Sequence, residues 1–331
     1  MQTTKITEEA TEIAHRLDKA RNVVIISHLK PDGDAMGSSV AVARGLMDKG
    51  CKATIVIHEP LAERLQRLVP VPCPTVQIEE FPATATEADL ILVVDTCSTM
   101  QLGEIAEQLA DLKDKVVVVD HHQTIDPIGD VQWIDTSAAA AGVMILELIE
   151  HMKWNINIDA AEAIATAILT DTGWLRFSST DQRCLAAISR LIDIGIEMDR
   201  LYKRINQTDR VQKLRLLAGV LSGMELFCDG KIAAMSISRD DFDTTGASPD
   251  ETENIINEAL RVGDIEAAVL VVEGDDVIRA SLRSRTRINV ADVAASFGGG
   301  GHARASGFQH PGPLLSARDE AVKALTLELQ K

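Results

Sequence analysis

Four short apolar runs mark the first half of the chain: residues 23–27 (VVIIS), 53–57 (ATIVI), 90–95 (LILVVD) and 115–120 (KVVVVD). Stretches of helical composition separate them, and this alternation predicts a parallel sheet with flanking helices. After residue 137 the pattern changes. Residues 137–152 (SAAAAGVMILELIEHM) and 160–173 (AAEAIATAILTDTG) predict two helices, the second ending at Gly173. Residues 182–226 keep a mainly helical composition and bridge to a second module. That module starts with a strand over 231–238, followed by a helical stretch over 251–262. Two β-rich runs, 266–273 and 277–284, flank Gly274, Asp275 and Asp276 and predict a hairpin. A helix over 289–297 is stopped by Gly298 to Gly301, and an amphipathic helix closes the chain. The expected fold is α/β followed by a smaller α/β unit, with domains at 1–205 and 206–331.

Composition narrows the partners. With 331 residues, 46% of them hydrophobic, the chain has room for two cores. Cys51, Cys73, Cys97, Cys184 and Cys228 are odd in number and form no CxxC pair, so neither a disulfide framework nor a zinc ribbon is expected, and a reducing cytoplasm fits. The N-terminal segment is polar, and no run approaches the ~20 apolar residues of a membrane span, so neither secretion nor a membrane is expected. A net charge of −17 argues against a basic track for long duplex or single-stranded nucleic acid. It does not exclude a small phosphorylated ligand, because bound cations and a few arginines can reverse the potential within one cleft. One Tyr, three Trp and six Phe leave few platforms for stacking successive bases, which points to a short ligand.

The candidate chemistry lies at the ends of the apolar runs. The first is followed by His28, Asp32 and Asp34, the third ends in Asp95, and the fourth in Asp120, His121 and His122. In open α/β sheets ligands gather at the carboxyl ends of strands. One such acid reads equally well as a helix cap, but acids at three strand ends imply a compensating positive charge, and a metal is the simplest source. Asp171 adds a carboxylate at the end of an apolar helix, where it opposes the helix dipole unless a cation offsets it. Asp32, Asp34, Asp95, Asp171, His28 and His121 form an oxygen-rich set without thiolate. That set favours manganese or magnesium over zinc, and the imidazoles shift the balance toward manganese. Six such side chains can hold two ions, with a bridging hydroxide as the nucleophile.

The segments HLKPDGDAMGS, VVDT, VVVDHH and ILTDTG occur in the order found in the DHH superfamily of phosphoesterases, which the chain resembles. Phe297 to Phe308 (FGGGGHARASGF), preceded by SLRSR at 281–285, resembles the DHHA1 substrate-binding domain. The resemblance covers nearly the whole chain. It implies that His28, Asp32, Asp34, Asp95, His121 and Asp171 bind two divalent ions, manganese first with magnesium or cobalt as alternatives, and that Asp34 and Asp95 bridge them. It implies that His122 faces the substrate phosphate and that Asp120 orients a neighbouring histidine. Gly299, Gly300 and Gly301 would admit the substrate to the backbone, with Arg283, Ser284 and His302 adding side chains. Ser306, where the family commonly has alanine, and Arg304 depart from the pattern.

Because the metal motifs and the glycine-rich motif fall in separate modules, the active site is expected in the cleft between them. Within the superfamily the arrangement is similar to the nanoRNase and pAp-phosphatase group, which degrades very short oligoribonucleotides and dephosphorylates adenosine 3′,5′-bisphosphate. A RecJ-like exonuclease would carry further nucleic-acid-binding domains, and a family II pyrophosphatase matches the second domain less well. Linear or cyclic dinucleotides stay open as substrates, as does a homodimer. A non-catalytic nucleotide sensor would be expected to have lost a ligand, and none of the six is missing.

Overall fold

The apolar runs become adjacent strands because each is buried on both sides. The computed structural model describes residues 6–58, 65–66, 73–252 and 254–331, and the chain divides into two units, Met1–Thr208 and Asp209–Lys331. In the first, β1 (Asn22–Ile26), β2 (Lys52–Ile57), β3 (Thr75–Gln77), β4 (Leu90–Val94), β5 (Val116–Asp120) and β6 (Val131–Ile134) pair in the order β3-β2-β1-β4-β5-β6. Every pairing is parallel. Val23, Ile25, Leu92 and Val119 face one apolar core, while Val24, Ile26, Val93 and Val118 face another. Two covered faces explain why the strands read as continuous apolar runs. Sheet order reverses between β1 and β4, so the connections leaving these two strands diverge and leave a crevice at their carboxyl ends.

Among the described residues the helices of this unit include α1 (Glu8–Lys19), α2 (Gly33–Asp48), α3 (Phe81–Glu87), α4 (Thr99–Leu102), α5 (Ile105–Asp111), α6 (Ala141–His151), α7 (Ile158–Asp171), α8 (Gln182–Ile194) and α9 (Met198–Asn206). The helix expected from residue 137 begins at Ala141, and the one expected from residue 160 begins at Ile158 and stops before Gly173, whose φ is +56°. Strands β3 and β6 are absent from the sequence reading. Both are short edge strands, three and four residues long, without a continuous apolar run. Helices α2, α6 and α7 approach through small residues: a Cβ on Gly37 would lie 2.4 Å from the Ala163 carbonyl oxygen, and one on Gly142 2.6 Å from Ala167 Cβ. This contact brings the first turn of α2, the N-terminus of α6 and the last residue of α7 together.

In the second unit, β7 (Glu225–Phe227), β8 (Ile232–Ile237), β9 (Ala267–Glu273), β10 (Ile278–Ser284), β11 (Gly300–His302) and β12 (Ala305–His310) form a mixed sheet in the order β11-β12-β10-β9-β8-β7. Only β8 and β9 run parallel. The hairpin expected around Gly274 is β9–β10. Its helices are α10 (Val211–Ser222), α11 (Arg239–Thr245), α12 (Ile255–Ala259), α13 (Val290–Ser296) and α14 (Leu314–Leu329). The helical stretch expected over 251–262 appears as a 3-10 turn, Pro249–Thr252, and the short α12, while residue 253 lies outside the described residues. Ile278, Ala280 and Leu282 of β10 join one core with residues of α13 and α14. On the opposite face α10 and α12 pack over β8 and β9, but β10 presents Arg279, Ser281 and Arg283 there. Among the described residues no helix is long and apolar enough to cross a membrane.

Two stability predictions follow from this packing. Gly37→Ala must separate α2 from α7 and is expected to destabilise the protein by about 1–3 kcal/mol, measured as a lower urea midpoint. In the second unit Arg210 donates to both carboxylate oxygens of Glu251. That bond, aided by the Ser248 N–H and hydroxyl, holds the Glu251 pKa near 2, below its ordinary 4.5. A depressed folded-state pKa contributes stability above the unfolded value that is lost as pH falls through the folded one. The Tm difference between wild type and Glu251→Gln is therefore expected to be fullest above about pH 5 and to close toward pH 2.

Candidate metal centre

The centre is built where β1, β4 and β5 end. Asp32 caps α2, its Oδ1 accepting from the N–H groups of Asp34 (2.9 Å) and Ala35 (3.1 Å). The capping reading of this acid is therefore real, yet the same oxygen lies 3.9 Å from His28 Nε2. Asp95 follows β4 with a left-handed φ of 59°, a conformation Asp tolerates better than most residues. Its N–H donates to the Val119 carbonyl at 3.0 Å, which ties this turn to β5. The Asp95 carboxylate is 1% exposed and lies between two imidazoles, Oδ2 at 3.6 Å from His28 Nε2 and Oδ1 at 3.5 Å from His121 Nε2.

Asp34 is held from the other side. Its Oδ2 accepts from the N–H of Ala141 (2.7 Å) and its Oδ1 from that of Gly142 (2.9 Å) and from Ser38 Oγ (3.1 Å). The N-terminus of α6, with its free N–H groups and positive dipole end, thus fixes a fully buried carboxylate. The residues just before α6 act on His121, whose Nδ1 lies 3.1 Å from the Ala138 carbonyl oxygen. A carbonyl only accepts, so Nδ1 carries the proton and Nε2 is turned toward Asp34 (3.7 Å), Asp95 (3.5 Å) and Asp171 (3.7 Å). Residues 137–140 do not extend α6 because they form this loop.

Asp120 is fully buried at the end of β5, and its Oδ1 accepts from the His121 N–H (2.8 Å), the His122 N–H (3.3 Å) and His122 Nδ1 (2.8 Å). The histidine it orients is His122. With Nδ1 so engaged, the free nitrogen of that ring is Nε2, on a side chain about one-third exposed.

Three groups of donor atoms therefore converge: His28, Asp32 and Asp95; Asp34, His121 and Asp171; Asp95, His121 and His122. Two atoms bound to one ion at about 2.0–2.2 Å cannot lie more than about 4.4 Å apart. The His–Asp separations of 3.5–3.9 Å satisfy that limit while being long for hydrogen bonds. Asp95 Oδ1 is buried without a hydrogen-bond donor. The donor set fits divalent cations. The cluster's charge is visible in its protonation: burial opposes a charged His121, but the adjacent carboxylates of Asp95, Asp34 and Asp171 raise its pKa to about 10. Burial, with Asp95 adding repulsion, lifts Asp171 to about 6. Burial and the charges of Asp95 and Asp171 push Asp34 well above the usual carboxylate range.

Residues 22–170 match the DHH family, N-terminal domain, and residues 229–331 match the DHHA1 domain. The chain belongs to the DHH/DHHA1 superfamily. As a member it is a phosphoester-hydrolysing enzyme. Among relatives, the bifunctional oligoribonuclease and PAP phosphatase NrnA of Bacillus subtilis is 28% identical over 304 residues, covering 90% of this chain and 92% of the relative. The protein of the same name from Thermus thermophilus is 27% identical over 316 residues, with 93% and 90% covered. The solved structure of an exopolyphosphatase-related protein from Bacteroides fragilis superposes with a TM-score of 0.91 at 26% identity, over 99% of this chain and 97% of that one.

The DHHA1 unit divides its motif residues between two tasks. Arg283 lines a cavity of about 700 Å³ together with Gly298 and Gly299. Ser284, next along the strand, is buried on the opposite face, and its hydroxyl donates to the Ile288 carbonyl at 2.6 Å. A side-chain contact from Ser284 to a ligand therefore meets a hydroxyl already engaged. A Cβ on Gly299 would lie 2.2 Å from the Gly307 oxygen and one on Gly301 2.7 Å from the Ala305 oxygen, whereas Gly300 faces open space. The glycine run thus serves the β11–β12 approach as well as access. His302 ends β11 and is exposed, and Ser306 Oγ donates to its carbonyl at 2.7 Å. Arg304 donates to the Ile288 carbonyl.

Sequence reasoning missed the supports of the centre: Ser38, the Ala138 carbonyl, the N–H groups of Ala141 and Gly142, and Arg183. Arg183 on α8 donates to both oxygens of Glu147 (2.6 and 2.5 Å) and to Asp135 (2.5 Å). Asp135 in turn accepts from the Ser137 N–H and hydroxyl, which secures the loop leading to Ala138. Arg183→Leu is expected to weaken manganese binding, followed by calorimetric titration, by about 10–100-fold. Arg183→Lys is expected to recover part of the loss, because lysine keeps the charge without the fork.

Proposed function

We infer that the chain is a metal-dependent phosphoesterase acting on short oligoribonucleotides and on adenosine 3′,5′-bisphosphate. The observation that carries the reading is Asp95, a buried carboxylate with an undonated oxygen set between His28 and His121. Under this proposal His28, Asp32 and Asp95 would hold one divalent ion and Asp34, His121 and Asp171 a second. Bound there, the ions supply charge neutralisation at the phosphoryl oxygens and activation of water. Nitrogen and oxygen donors without thiolate favour manganese, with magnesium or cobalt as alternatives.

The protein's own groups complete the chemistry. His122 is held by Asp120 with Nε2 available, and the Asp120 hydrogen bond, against the effect of burial, raises its pKa and favours the protonated ring. From Nε2 it donates to a phosphoryl oxygen and can pass its proton to the departing alkoxide. Arg283 binds substrate phosphate in the DHHA1 cavity, beside Gly299. Near-full-length similarity to two relatives named for both activities supports this substrate pair. Five free cysteines fit a reducing cytoplasm.

The test is a manganese-supplemented panel of adenosine 3′,5′-bisphosphate, linear and cyclic dinucleotides, a five-residue RNA and pyrophosphate. Turnover is expected for the bisphosphate and the short RNAs, and Asp95→Asn is expected to abolish it at saturating manganese. Turnover of pyrophosphate alone would overturn the nucleotide reading, and full activity in Asp95→Asn would overturn the assigned centre.

A further inference from the structure

The aromatic side chains that follow Asp171 are put to different uses. Trp174 packs against the core, and its ring stands edge-on to Tyr202 with centroids 5.0 Å apart. Phe177, three residues on, is 52% exposed. A single exposed apolar side chain is ordinary, but this one is fixed in place. The N–H groups of Arg176 and Phe177 both donate to the Thr172 carbonyl (3.0 and 3.1 Å), and the Thr180 N–H donates to the Phe177 carbonyl at 3.1 Å. The fully buried Thr172 hydroxyl accepts from the Leu175 N–H and donates to the Ile168 carbonyl in the last turn of α7.

The Phe177 ring lies flat on Gly173. A Cβ on Gly173 would meet Phe177 Cζ, Cε1 and Cε2 at 2.4, 2.5 and 2.7 Å. Near-equal distances to three neighbouring ring atoms put that point above the face of the ring and not beyond its edge. One face of the phenyl therefore rests on the Gly173 backbone, where a side chain would displace it, and the exposed area belongs to the opposite face. Among the described residues no aromatic ring or cation covers that outer face.

The turn that seats the ring is strained. Gly173, Trp174 and Leu175 succeed one another in the left-handed region, with φ of 56°, 62° and 63°. Glycine adopts that region freely, whereas the two residues after it do so at a cost, and such strain clusters at functional sites. Here it folds the chain back two residues past Asp171, a donor of the metal centre. Two residues span at most about 7 Å, so the seat of the ring adjoins the centre as a base adjoins a phosphate within one nucleotide. Resting on the phosphoesterase reading given above, we propose that the outer face of Phe177 is the stacking platform for the nucleobase of the nucleotide whose phosphate meets the metal centre. Every base has a π-face, and a phenyl ring has no hydrogen-bonding group. The platform therefore favours a nucleotide over a base-free phosphate ester without choosing among bases.

The experiment compares full-length wild type, Phe177→Ala, Phe177→Leu and Phe177→Tyr in manganese, with adenosine 3′,5′-bisphosphate and its base-free 1-deoxyribose counterpart as substrates. In Phe177→Ala kcat/KM for the adenosine compound is expected to fall about tenfold, carried by KM, while that for the base-free ester stays within about twofold of wild type. Phe177→Leu keeps apolar bulk without a π-face and is expected to show the same selective loss, whereas Phe177→Tyr is expected to retain wild-type selectivity. A loss shared equally by both substrates, or absent from both, overturns the proposal. Should wild type turn over neither compound, the functional reading fails. In that case, or where the base-free ester alone is inert, calorimetric titration of the manganese-loaded protein with both compounds decides the proposal. About tenfold weaker binding of the adenosine compound alone in Phe177→Leu supports it. Equal weakening of both, unchanged affinity, or no binding of the adenosine compound by wild type overturns it.

Discussion

Everything in the first unit is arranged around the problem of burying the Asp34 carboxylate. A charged group that is 1% exposed needs donors, and the N-terminus of α6 provides two of them from its backbone. That solution has consequences for the chain on either side. It requires α2 and α6 to meet end against end, which the glycines at 37 and 142 permit by removing side chains from the contact with α7. It also requires the residues before Ala141 to leave the helix, and the loop they form supplies the carbonyl that fixes the His121 ring. One carboxylate thus settles where α6 begins, how closely three helices pack and which nitrogen His121 presents.

Much of this architecture was readable beforehand because it leaves a chemical trace. Residues 90–95 and 115–120 are uniformly apolar because both faces are covered, and an acid at the end of such a run is conspicuous. The convergence of His28, Asp34, Asp95, His121 and Asp171 follows once the strands are placed side by side. The supports leave no comparable trace. The Ala138 carbonyl and the Ala141 N–H belong to a run of four alanines, and backbone groups have no signature in sequence. Arg183 sits in an ordinary amphipathic helix, where its role depends on acids 36 and 48 positions away. Strands β3 and β6 escape for another reason, since an edge strand pairs along one side and is too short to show a period.

In the DHHA1 unit the difficulty was parity. Adjacent motif residues appeared to share one role, yet a strand sends neighbours to opposite faces. Arg283 enters the cavity while Ser284 closes a turn through the Ile288 carbonyl. The glycine run is likewise not a plain helix stop, because Gly300–His302 is a strand paired with β12.

That parity on β10 has an evolutionary reading. Ile278, Ala280 and Leu282 belong to the core, whereas Arg279, Ser281 and Arg283 line the cavity. Core and cavity lining are therefore written in alternate letters of one seven-residue word. Drift at the odd-numbered positions can reshape the cavity lining while the even-numbered ones keep the unit folded, so a lineage can alter that lining without rebuilding its scaffold.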